Sequence, residues 1–213
     1  LPAAVAGEET VFDNWIYSGQ TVTVESHTFT ILHGAKANEV LADYGAGNLF
    51  IGNNSCSSYG AARICLDNIE YDTTKKQYKL KVRGISLVPK ITVTRTISKE
   101  EFLAGDAAIV TVTLENTGGI ATDVFYKDEF TSEVEVVSSE GITKYTGRVE
   151  WKGQLKSSEK LSFTYKIMVK EPTERTFVAS LQYFDGFRTK TVYSSPVKVK
   201  TTDPLVLTAT VGA

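Results

Sequence analysis

Two cysteines, Cys56 and Cys65, are the only thiols in the chain, and the segment between them, Ser57 to Ile64, is rich in small and polar residues. A structural zinc site needs four soft ligands, and two more are missing nearby. A redox pair favours the Cys-x-x-Cys spacing, which is absent. The predicted chemistry is therefore a disulfide, in keeping with an exported chain. Directly before Cys56 stands Asn53-Asn54-Ser55, a sequence that reads either as an acceptor for an N-linked glycan at Asn53 or as a plain turn.

Other groups capable of chemistry are sparse. His27 and His33 are the only histidines, with Glu25 the nearest carboxylate. They read as edge or solvent-facing residues rather than metal ligands. Two acidic sets, Asp67, Glu70 and Asp72, and Asp123, Asp128 and Glu129, hold enough oxygens for a structural calcium ion but lack a known calcium-loop spacing. The expectation is no cofactor and no catalytic metal, with calcium as the alternative and ordinary turn carboxylates as the plain reading. No Gly-x-Ser-x-Gly elbow, His-Glu-x-x-His helix or phosphate-binding glycine loop is present, so no catalytic residue is assigned and the chain is read as a non-enzyme. Tyr44, Tyr59 and Tyr126 are the aromatics considered for a sugar-stacking surface.

The elements that must carry these residues are strands. Thr, Val, Tyr and Phe are abundant, and alternation of polar and apolar residues recurs along the chain. Ser98–Leu103 and Lys36–Leu41 look helical, but both fall short of the roughly 12–15 residues of a self-supporting helix. The fold class is all-β, as two β-sandwich domains in tandem. Residues 1–10 form an N-terminal arm, 11–88 a first sandwich of six or seven strands holding the Cys56–Cys65 loop, 89–202 a second sandwich, and 203–213 a C-terminal strand or linker. Pro89 marks the junction, because it donates no ladder hydrogen bond. In the second domain Val110, Val112 and Leu114 share one face, as do Leu161, Phe163, Tyr165, Ile167 and Val169, and Phe177, Ala179, Leu181 and Tyr183. Such regularity means antiparallel sheets with one buried face. Asp185-Gly186 reads as a two-residue hairpin turn, and Trp151 as the large core residue.

Both chain ends are apolar. Ala4-Val5-Ala6 fits the small-residue rule for signal cleavage, so residues 1–6 read either as leftover signal sequence or as an arm that pairs with a neighbour. Leu205 to Val211 is a fresh strand pattern that returns to an edge of the second domain, begins a further domain, or completes a neighbouring molecule. Left exposed, a strand of this kind invites aggregation, so it is expected to be covered.

The second domain resembles the CARDB-type immunoglobulin-like modules of archaeal and bacterial surface proteins. The resemblance rests on Ile91–Ile97, Gly105-Asp106, Val110–Gly118, Ala121–Val124 with Asp128-Glu129-Phe130, Trp151–Leu155 and Tyr183–Gly186. The first domain is similar, more loosely, to the domain that precedes such modules in archaeal S-layer-related proteins, through Ser18-Gly19-Gln20 and Cys56–Asp72. What the resemblance implies is an immunoglobulin-like fold and an extracellular or cell-envelope location, in spacers, adhesive units or envelope components. A shared fold supplies no reaction.

Charge sets further bounds. The net charge of −2 argues against nucleic acid, which requires a cationic face. No run nears the roughly 18 apolar residues of a membrane span. The expected function is a structural or adhesive module of an archaeal surface assembly (S-layer, filament or stalk). Its expected partners are further copies of itself or neighbouring envelope subunits. Leu1, Val5, Leu205, Leu207 and Val211 are the assembly candidates. The alternative is a carbohydrate- or ligand-binding ancillary domain of a larger secreted protein.

Overall fold

The computed structural model describes residues 8–203. Strands carry the fold throughout, and two separate apolar cores divide it into two sandwiches. In the first sandwich, β1 (Glu9–Tyr17) is followed by a four-strand meander: β2 (Gln20–Val24), β3 (His27–His33), β4 (Glu39–Asp43) and β5 (Asn48–Gly52). The chain then crosses to β6 (Ser55–Tyr59), β7 (Ala62–Asp72) and β8 (Gln77–Ser86), which returns beside β1. One sheet therefore runs β1-β8-β7-β6 and the other β2-β3-β4-β5, all pairs antiparallel. Val22, Val24, Phe29, Ile31, Val40, Ala42 and Ile51 face Ile16, Ile64, Leu66, Leu80 and Val82 across the core.

Eight strands stand where the sequence suggests six or seven. β4 falls on the segment with a helical look, and β6 is polar enough to escape notice. Thr10 pairs with Ile85, so the first sandwich begins before residue 11.

The second sandwich is built from β9 (Ile91–Ile97), β10 (Glu101–Leu103), β11 (Ala107–Asn116), β12 (Ala121–Glu129), β13 (Val134–Glu140) and β14 (Thr143–Tyr145). Completing it are β15 (Arg148–Leu155), β16 (Lys160–Val169), β17 (Thr173–Phe177), β18 (Ser180–Phe184), β19 (Thr189–Tyr193) and β20 (Val197–Thr202). The sheet order β9-β11-β16-β13 matches the A-B-E-D arrangement of an immunoglobulin sandwich, and β12-β18-β19 matches C-F-G. The chain order departs from that plan, since β13 precedes β15, the strand beside β12. A short third sheet, β10-β20-β17, contains a parallel pair, β10 with β20.

The alternating residues of β11, β16 and β18 bury the face their pattern predicts. Trp151 does not sit at the centre. It is half-buried at the margin, while Tyr126 and Tyr165 are the largest fully buried side chains of this domain. Asp185-Gly186 is also not a two-residue turn. Four residues, Asp185 to Arg188, link β18 to β19, closed by the Asp185 N–H donating to the Arg188 carbonyl at 3.0 Å.

Candidate functional site: the joint between the sandwiches

The link Leu87-Val88-Pro89-Lys90 carries no Gly and offers little freedom, and it is held on both sides. The Leu87 N–H donates to the Ala61 carbonyl at 2.7 Å, and the Gly119 N–H donates to the Val88 carbonyl at 3.2 Å. Lys90 donates its N–H to Asn116 Oδ1 at 3.1 Å and accepts the Thr117 N–H at 2.9 Å. Asn116 is wholly buried, and its Nδ2 donates to the Gly119, Leu155 and Lys156 carbonyls at 2.6, 3.2 and 3.0 Å. The Asn-Thr-Gly-Gly run is thus a socket for the linker. Only glycine fits there: a Cβ on Gly119 would lie 1.8 Å from the Leu87 carbonyl oxygen, and one on Gly118 would lie 2.2 Å from that of Val88.

A second contact closes the joint from the other side. The Asp185–Arg188 turn reaches the first sandwich, where Phe187 stacks on His27 with centroids 4.5 Å apart. His27 meets Tyr59 edge-on at 5.1 Å, and Tyr59 stacks on Tyr44 at 4.0 Å. Asp185 shapes this turn. Its Oδ1 accepts the Phe187 and Arg188 N–H groups at 2.9 and 2.8 Å, and Lys190 Nζ lies 3.0 Å from Oδ2. Burial pushes the Asp185 carboxyl up, yet these donors and Lys190 more than offset it and hold the group below its usual range.

Between these two contacts the surface opens into a groove of about 440 Å³, lined chiefly by apolar groups that include Ala61, Leu87, Ile120 and Phe184. Ile120 and Phe184 are both exposed and both line this groove, so they form an apolar patch rather than scattered single residues. At its rim Arg63 pairs with Glu8. Further along the joint, Lys90 pairs with Glu9.

The predicted site residues fall in different places. Cys56 and Cys65 are directly opposed across β6 and β7 and are joined as a disulfide; the segment between them is a hairpin, not an open loop. Asn53 is exposed in the two-residue crossover from β5 to β6. Leu1, Val5, Leu205, Leu207 and Val211 lie outside the described residues. His27 and His33 occupy opposite ends of β3, roughly 20 Å apart for a strand of this length, so they cannot share a metal. His33 instead stacks face to face on Tyr78 at 3.6 Å, at the end of the sandwich away from the joint.

Neither acidic set converges on an empty centre. Asp67 forms a two-point pair with Arg83 at 2.6 and 2.8 Å, and Asp72 caps the β7–β8 turn through the Thr74 and Lys75 N–H groups and accepts the Tyr17 hydroxyl. Asp128 points into the core, where Arg95 Nη2 approaches within 2.7 Å and the Tyr165 hydroxyl donates to it. Glu129 pairs with Lys127 on the surface, and Asp123 is exposed at a bulge. Among the described residues no group of three or more His, Cys, Asp or Glu is placed to hold a metal ion. The three tyrosines are likewise separated: Tyr126 lies in the core of the second sandwich, away from the Tyr44–Tyr59 stack of the first.

The joint itself was not legible as a site. Its one sequence signal is the uncharged run Ser86-Leu87-Val88-Pro89, too apolar for a solvated linker.

The chain matches no family model, and no curated protein matches it in sequence. Among solved structures, the CARDB domain of a Pyrococcus furiosus protein, determined with di-metal ions, is 15% identical with a TM-score of 0.39, over 55% of this chain and 97% of that one. The bacterial hydrophobin BslA is 9% identical with a TM-score of 0.36, over 55% of this chain and 98% of its own. The N-terminal domain of a Streptococcus gordonii adhesin is 9% identical with a TM-score of 0.38, over 95% of this chain and 82% of its own. At these scores none of them assigns a ligand, partner or family. Among the described residues no helix is long and apolar enough to cross a membrane.

Proposed function

We propose that this chain is an extracellular, non-enzymatic module of an archaeal surface assembly (an S-layer, filament or adhesive stalk) whose copies cohere through their apolar ends. The carrying observation is the groove at the joint, an apolar surface held open between two sandwiches that are locked together. Its occupant in this reading is Leu205–Val211 of a second copy.

Two features support that occupant. In sequence, Leu205, Leu207, Ala209 and Val211 alternate with Val206, Thr208 and Thr210, a period of two that would put the four apolar residues on one face if a partner sheet drew the segment into a strand. β20 ends beside Leu103 and Ala104, at the pole of the second sandwich opposite the joint, roughly 30 Å away along β11. The last described strand thus ends far from the groove of its own molecule, which favours a second copy as the source of the occupant. Such a head-to-tail contact joins unlike surfaces, and repeated without closure it produces a filament or lattice. The disulfide supports an oxidising, extracellular setting.

The experiment is deletion of Leu205–Ala213, followed by size-exclusion chromatography and electron microscopy. Loss of self-association is expected, and normal assembly of the shortened chain would overturn the reading. Ile120→Ser with Phe184→Ser should act as the deletion does. Saturable binding of one sugar class on a glycan array, without self-association, would favour the ancillary ligand-binding alternative.

A further inference from the structure

We propose that Asn53 is a modification site, carrying an N-linked oligosaccharide that covers the β5/β6 side of the first sandwich. The inference rests on the extracellular setting proposed above but not on the assembly contact.

The placement is specific. Among the described residues β5 is the edge of one sheet and β6 the edge of the other, and the two residues Asn53-Asn54 connect them. Asn54 takes a positive φ of 59°, which turns the chain sharply. The Asn53 N–H donates to the Asn38 carbonyl at 2.7 Å, and the Ser55 hydroxyl donates to the Gly52 carbonyl at 2.6 Å, so the turn has a fixed shape while Asn53 and Ser55 stay exposed. The disulfide anchors β6 one residue beyond the acceptor sequence.

The surface beside it lacks protection of its own. Edge strands are commonly guarded by charged residues, yet β5 (Asn-Leu-Phe-Ile-Gly) and β6 (Ser-Cys-Ser-Ser-Tyr) contain none. Phe50 points outward from β5 and is 69% exposed. It stands three residues before Asn53, roughly 10 Å along a strand, within reach of the first sugars of a glycan. A sugar chain rooted at Asn53 accounts for both facts: it covers the ring and keeps other strands from the uncharged edges. Strand addition is thereby blocked along this side, from the end of the sandwich opposite the joint.

The reaction requires an oligosaccharide carried on a polyprenyl phosphate or pyrophosphate and the transferase that uses it. The Asn53 amide nitrogen attacks the anomeric carbon. A carbon–nitrogen bond forms, the bond from that carbon to the phosphate oxygen breaks, the lipid phosphate leaves, and the amide gives up one proton. No oxidation or reduction is involved.

The test uses protein isolated from the cells that naturally make it, digested with trypsin without reduction and measured by tandem mass spectrometry. Ala37–Arg63 contains both Asn53 and Cys56, and Ile64–Lys75 contains Cys65. The expected result is these two peptides cross-linked, with a glycan mass on Asn53. Asn53→Gln and Ser55→Ala should remove that mass, and Ser55→Thr should retain it. Bare Asn53 in the natural protein overturns the proposal. If the cysteines are cross-linked in that case, the extracellular reading stands without the glycan; if they are free thiols, both fail.

Discussion

His27 on the first sandwich and Phe187 on the second form a stacked pair, with centroids 4.5 Å apart and planes inclined by 27°. The two rings come from a strand terminus and a four-residue turn, elements with no backbone pairing between them. Their contact therefore reports how the domains are held together. An aromatic pair contributes about 1 kcal/mol beyond its buried area. Phe187→Ala is expected to leave both sandwiches folded and to broaden the distribution of inter-domain angles. Small-angle scattering should record a larger radius of gyration, and an unchanged profile would show that the linker socket alone fixes the geometry.

The socket sets a stricter limit. Gly119→Ala must displace the Leu87 carbonyl, because 1.8 Å is far inside any van der Waals contact. Overpacking of this kind costs about 1–3 kcal/mol, and backbone against backbone places it at the upper end. Denaturant unfolding should show that loss, and self-association should fall with it, since the groove shares the same residues. A variant that is destabilised yet assembles normally would detach the groove from assembly.

Protonation of Asp185 offers a reversible way to loosen the joint. The folded carboxyl is held below the unfolded value of about 3.9, so its contribution is complete above that value and is lost as pH falls through the lower, folded value. Acidification through that lower, folded value should therefore weaken the Phe187 turn. NMR of the His27 and Phe187 ring protons reads this directly. Asp185→Asn retains an acceptor oxygen and removes the titration, so its joint should show no acid transition of this origin.

At the centre of the second sandwich Arg95 and Asp128 form a buried ion pair. Arg95 Nη1 donates to the Phe177 carbonyl at 2.9 Å and Nε to the Tyr165 hydroxyl at 3.3 Å. Burial opposes the Arg95 charge, but the adjacent Asp128 carboxylate keeps its pKa above the ordinary value. Burial also pushes the Asp128 carboxyl up, and Arg95 and the Tyr165 hydroxyl offset this only in part, so the carboxylate depends on Arg95 for its charge. Removing one partner strands the other charge, a loss of about 3–5 kcal/mol. Arg95→Met should show that loss in urea unfolding, while Arg95→Met with Asp128→Leu should recover much of it. Equal instability of the single and double variants would mean that packing, not the unpaired charge, is responsible.

How much of this the sequence reveals depends on whether the cause is local. Strands β11, β16 and β18 were readable because burial of one face imposes alternation on every second residue. β4 was not, because two buried positions, Val40 and Ala42, in a five-residue strand leave no period to detect. β6 was missed because it has little apolar content and is held by ladder hydrogen bonds and a disulfide. Parity placed Trp151 on the core side, but depth depends on the opposing sheet, which put Tyr126 and Tyr165 at the centre instead. Similarly, Arg95 and Asp128 look like surface charges until the fold brings them together. The joint leaves the least trace, since His27, Gly119 and Phe187 are distant in the chain and each has an ordinary local reading.

The disulfide should act locally as well as on overall stability. Cys56 and Cys65 close a loop of nine-residue separation, for which the loss of unfolded-state entropy corresponds to roughly 2–3 kcal/mol. The bond also clamps a strand whose only ladder neighbour among the described residues is β7. Cys56→Ser with Cys65→Ser is therefore expected to accelerate amide exchange across Ser55–Tyr59 well before β8 or the second sandwich is affected. The freed strand exposes the same uncharged edge that a glycan at Asn53 would cover, so the unglycosylated double variant should aggregate faster than the unglycosylated parent. Equal aggregation rates would show that the β6 edge is not a route to non-specific aggregation.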